Sequence, residues 1–160
     1  MARPNPRIAL LLEVLDHAYE GKGWHGTTLK GAVRGLTPRQ ATWRPAPNRH
    51  CIWDLVLHAA YWKYAVRRRL AGSSRGAFPR APSNWPRMPG ESGARAWKAD
   101  LALLDREHRA LRAAVAGLDP RRLEERGAKK QWRNVEMIHG IAAHDLYHTG
   151  QIQLLKRLQK

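Results

Sequence analysis

Four stretches of this chain place their apolar residues on one face of a helix, and glycine or proline punctuates the chain between them. No stretch shows the two-residue alternation of a half-buried strand with comparable strength. The first runs from about Pro6 to Glu20, with Ile8, Leu11, Leu12, Leu15 and Tyr19 as its stripe. Pro6 suits a first helical turn, and Gly21 and Gly23 end the pattern. The second runs from about Cys51 to Ala71, with Leu55, His58, Ala59, Trp62 and Val66 inward. Arg67, Arg68 and Arg69 crowd its last turn, where cations oppose the negative end of the helix dipole, and Gly72 stops it. The third, from about Ala94 to Ala116, turns Trp97, Leu101, Leu104, His108, Leu111 and Val115 inward and ends at Gly117 and Pro120. The fourth starts near Asn134, read as its N-cap with Glu136 in the first turn. It runs to the C-terminus with Met137, Ile141, His144, His148, Ile152 and Leu155 as its stripe. Four amphipathic helices bury such stripes best against one another, so the expected fold is all-α, a four-helix bundle.

The connections are long. Between the first two helices, a short helix is expected over Thr27–Leu36. Thr37-Pro38 reads as a cap followed by proline at the first helical position, and Pro45 and Pro47 forbid regular structure. The 22 residues from Gly72 to Gly93 hold Pro79, Pro82, Pro86 and Pro89 and read as a loop. Extended, they reach roughly 70 Å, whereas the second helix is only about 30 Å long. A crossover along the bundle is therefore possible, and sequential helix order is not forced. Residues 121–133 read as a basic loop. At 160 residues, 43% of them hydrophobic, the chain is expected to form one domain over 1–160.

Cys51 is the sole cysteine, which excludes an intramolecular disulfide framework and any cysteine-rich zinc site. The apolar run Ile8–Leu12 is too short for a signal peptide or a membrane span. A soluble, cytoplasmic protein with no membrane partner is the expectation. Against 13 Asp+Glu stand 29 Lys+Arg, a formal net charge of +16. Such a field attracts nucleic acids and small anions through on-rate and non-specific affinity. It also arises as plain solvated surface charge.

His144 and His148 lie one turn apart on the buried stripe. Residues four apart on a helix have Cβ atoms about 5–6 Å apart, which lets both rings reach one divalent ion at ~2.0–2.1 Å. His58 lies on the stripe of the second helix. Each of the three also has an ordinary reading as a hydrogen-bonded core histidine. Together, in a bundle core, they form a candidate metal site with coordination positions left for water or substrate. Zinc, nickel, iron or cobalt would accept such ligands. Gln151 is placed to hydrogen-bond a ligand histidine or substrate, and Trp62 to shape the pocket. His25, in a loop beside Trp24 and Gly26, could cap it. Asp145 reads as a surface or outer-sphere residue rather than a catalytic base. His139 is rotated off the ligand face, His17 and His108 read as structural, and Cys51 as a buried, inert thiol.

These features resemble the DinB superfamily over nearly the whole chain. The resemblance rests on Trp43-Arg-Pro45, on the tract Ile52–His58, and above all on His144-Asp-Leu-Tyr-His148-Thr-Gly-Gln-Ile152. Trp24-His25-Gly26 and Tyr61–Leu70 look like features of one branch of it. It implies a four-helix bundle of unusual helix order, a divalent metal on His58, His144 and His148, and a homodimer. Characterised relatives include S-transferases and isomerases that use low-molecular-weight thiols such as bacillithiol or mycothiol. The name comes from DNA-damage induction, which describes expression and not chemistry.

The leading expectation is thus a metal-dependent transferase or hydrolase acting on a small electrophilic substrate, with a low-molecular-weight thiol as possible cofactor. Two alternatives stand beside it. One is a nucleic-acid-binding protein of a DNA-damage response, resting on the charge and the runs Arg67–Arg69, Arg121–Arg122 and Lys129–Lys130; no recognition-helix, zinc-finger or RNA-stacking motif supports it. The other is a bundle with a purely structural metal, its site closed by a loop side chain such as His25.

Overall fold

The computed structural model describes residues 5–73, 76–126 and 132–160. Its helices are α1 (Pro6–Tyr19), α2 (Leu29–Val33), α3 (Pro38–Thr42), α4 (Ile52–Leu70), α5 (Ala94–Ala116) and α6 (Asn134–Leu158), with a 3-10 turn at Pro120–Glu124. The described residues contain no strand. Local chemistry sets the ends. Asn5 Oδ1 accepts from the Arg7 amide at 3.0 Å, with Pro6 behind it. Thr37 and Gln40 form a reciprocal capping box on α3. Gly72, at φ +61°, closes α4 in the left-handed conformation that glycine adopts without strain. The cap of α6 is one residue earlier than expected. Arg133 is the N-cap, and its amide donates to Glu136 Oε2 at 2.7 Å. Asn134 is instead buried inside the first turn, where its amide donates to the Arg122 carbonyl.

Cross-helix contacts fix the topology. Around the bundle the long helices follow the order α1, α5, α4, α6. Trp53 meets Asp100, and Arg67 meets Glu107, so α4 and α5 run the same way. Asp16 meets Arg112 and Tyr19 meets Asp105, so α1 opposes α5. His58 meets His144, and Arg69 further along α4 meets Met137 earlier on α6, so α6 opposes α4. Parallel neighbours cannot be joined by a tight turn, so the segment between α4 and α5 must return along the bundle. It climbs α4: Gly76 accepts from the Tyr64 hydroxyl, Phe78 packs edge-on to Tyr61, and Met88 reaches Cys51. This is the crossover that the length of the segment allows.

Two apolar clusters share the interior. One gathers Trp53, Leu57, Trp97, Leu104 and Ile152; the other gathers Leu15, Leu70, Leu111, Val115 and Ile141. Between them the helices carry polar residues. Lys63 and Asp145 are fully buried and ion-paired, with the Lys63 ammonium 3.5 Å from His108 Nδ1 and over the Tyr19 ring. Tyr19 stacks on His108. The three stripe histidines lie in the same middle zone.

Candidate metal centre

His58 sits two turns into α4, and α6 runs antiparallel beside it, so one turn of α6 brings two more imidazoles to the same point. The Nε2 atoms of His58 and His148 lie 3.1 and 3.0 Å from the Nε2 of His144. Among the described residues these three form the one cluster of metal-ligating side chains. Its partners set the tautomers. His58 Nδ1 is 2.6 Å from the Asn84 carbonyl, which can only accept, so Nδ1 carries the proton and Nε2 presents a lone pair. Gln151 Oε1, 2.6 Å from His148 Nδ1, imposes the same arrangement there. Two lone pairs thus converge on His144, whose Nδ1 is buried with no partner among the described residues. One imidazole N–H cannot satisfy both, and the centre lacks positive charge.

A divalent ion fits that gap. Bonds of ~2.0–2.1 Å at angles of roughly 95–110° separate ligand nitrogens by about 3.0–3.4 Å. Burial holds the imidazoles neutral, which is the ligating form. It pushes His58 down to about 4 and His144 to about 3, with the neighbouring histidines adding to the effect, and it lowers His148 as well.

The crossover completes the site with two residues that sequence reasoning missed. Trp85 stacks on His58 with ring centroids 3.8 Å apart, and Asn84 Oδ1 accepts from Trp62 Nε1 at 2.9 Å. Asn84 does this from a left-handed backbone, φ +69°. Trp62 stands edge-on to His58 and His144, but it is not among the residues lining the cleft beside them. A cleft of about 330 Å³ opens beside His148 and Gln151, walled by Leu55, Trp85, Tyr147 and Leu154. Larger clefts beside Trp43 and Trp132 hold no such cluster.

Other expectations resolve differently. His25 is exposed in the turn bridged by Gly23 and Gly26, and is not among the residues lining the cleft. Asp145 is not at the surface. It is fully buried and turned to Lys63, because its place on α6 faces α4. His108 is buried, whereas His17 and His139 are exposed. Cys51 is buried, and its thiol is pushed up to about 11, chiefly by desolvation. The arginine runs have ion-pair partners: Arg67 reaches the half-buried Glu107, while Arg121 pairs with Asp119 and Arg122 with Glu125 at the surface. Lys129 and Lys130 lie outside the described residues.

The fold and site define an all-α bundle protein with a three-histidine cluster able to hold a metal ion. The chain belongs to the DinB superfamily, whose family model matches residues 24–152, a span that includes all three histidines. No match to the chain was found among curated proteins or solved structures.

Proposed function

We propose that this chain is a divalent-metal-dependent enzyme that joins a small thiol, or water, to a small electrophile. The observation that supports it most is the convergence of three neutral imidazole nitrogens on one point beside an open cleft. When bound there, a divalent ion supplies Lewis acidity, which lowers the pKa of a thiol or water and polarises an oxygen. Asn84 and Gln151 hold the ring orientations of His58 and His148. Gln151 has its amide nitrogen left to donate to a substrate. Trp85, Leu55 and Leu154 give the cleft apolar walls against which an apolar part of a substrate can pack. Three ligands leave positions for a reactant, which favours chemistry over a purely structural ion.

The test is thiol consumption with a panel of small electrophiles, such as epoxides and activated halides, on metal-loaded protein. Turnover in the native chain and its loss in His148→Ala would support the reading. Equal turnover in a metal-free variant would overturn it.

A further inference from the structure

A second cleft, of about 620 Å³, shares His50 and Trp85 with the one beside His148. The two chambers differ in chemistry. The first is lined by leucines and aromatic rings, with no Lys, Arg, Asp or Glu. The second is lined by Arg44, Arg49, Arg87 and Asp54. Arg44 is bound to the Asp54 carboxylate and to the Arg49 carbonyl, so those two charges cancel. Arg49 and Arg87 are exposed, and among the described residues their side chains have no hydrogen-bond or ion-pair partner. Three arginines against one aspartate leave this chamber a net +2. The shared wall is tied to the metal centre by ring stacking. His50 lies on Trp85 with centroids 3.7 Å apart, and Trp85 lies on His58.

We propose that the two chambers form one bipartite site for small organic anions. The apolar or aromatic part of the ligand fills the cleft beside His148, and its carboxylate, phosphate or sulfonate is held by Arg49 and Arg87. Guanidinium groups grip such anions through parallel charge-assisted hydrogen bonds. An apolar chamber alone would bind greasy molecules without orienting them. An anion fixed at Arg49 and Arg87 sets which end of the molecule reaches the histidines. This assignment rests on the proposed function for the ligand's fate, but not for its binding.

The probe pair is naphthalene-2-sulfonate, a weak metal ligand, and its neutral analogue methyl 2-naphthyl sulfone. Binding is followed by calorimetry on the full chain, with metal content measured on the same samples. The sulfonate is expected to bind the native chain more tightly than the sulfone, and more weakly as salt rises. Arg49→Gln/Arg87→Gln is expected to weaken the sulfonate about tenfold or more, leaving the sulfone and the metal content unchanged. No sulfonate binding, no preference over the sulfone, or equal sulfonate affinity in the double variant would overturn the proposal. If metal loads normally while the arginines prove indifferent, the bipartite site fails and the metal reading stands. Arginine-dependent binding by a chain that takes up no metal would do the reverse.

Discussion

Replacing Lys63 with methionine should destabilise this protein more than any surface substitution, because it strands a buried carboxylate. Lys63 and Asp145 are both fully buried and reach each other across α4 and α6. Among the described residues Asp145 Oδ1 has no hydrogen-bond partner, so the ammonium is the main compensation for that group's desolvation. Removing one member of a buried pair costs about 3–5 kcal/mol. Burial already pushes the Asp145 carboxyl up against the opposing pull of Lys63, so without the ammonium it would take up a proton. That escape places the expected loss near the lower end, about 3 kcal/mol. For a chain of this length that is a fall in Tm of roughly 6–12 °C. The double variant Lys63→Met/Asp145→Leu removes both charges and should recover most of the loss, giving a coupling of about 2 kcal/mol or more in a double-mutant cycle. Urea denaturation of the four proteins at pH 7 measures it. A single variant within about 0.5 kcal/mol of native, or strictly additive losses, would refute the reasoning.

Trp53→Phe should cost about 2–4 kcal/mol in urea denaturation, since the buried indole donates to the buried Asp100 carboxylate at 2.9 Å; a loss below 1 kcal/mol would mean that Arg80, the other partner of Asp100, suffices alone. Burial, with the Lys63 ammonium adding to it, holds His108 down at about 3, whereas an unfolded histidine titrates near 6.5. The unfolded chain therefore binds more protons between those values, and stability falls as pH drops from about 6.5 towards 3. His108→Gln should flatten that acid limb by up to about 1.4 kcal/mol per pH unit, and an unchanged slope would remove the assignment. Cys51, buried with its thiol pushed up to about 11, should resist alkylation at pH 8 in the native chain and react on unfolding; equal rates in both states would contradict that burial.

Much of the architecture could be read in advance because the stripes of the four long helices are strong and their stops are glycine or proline. The site was legible where it depended on helical spacing. His144 and His148 lie one turn apart on one stripe, and His58 lies on a facing stripe. It was not legible where it depended on the crossover, since nothing periodic in residues 72–93 says that Asn84 and Trp85 land on His58. A bulky tryptophan in a proline-rich loop was the available signal. Lys63 and Asp145 teach a different lesson. Lys63 is in phase with Ala59, Val66 and Leu70, and Asp145 with Ile141 and Ile152, so the period placed both inward. Their charge argued for solvent, and pairing across two helices overrode it. The cap at Arg133 rather than Asn134 shows the same limit locally, for Glu136 could serve either residue's amide.

The central claim is that His58, His144 and His148 hold one divalent ion. Elemental mass spectrometry of untagged protein, beside a His144→Ala variant, tests it most directly. About one equivalent of a transition metal is expected in the native chain, and its loss in the variant. A native chain that holds no metal even after reconstitution, or a variant that keeps it in full, would rule out the metal centre and leave the three histidines as core residues.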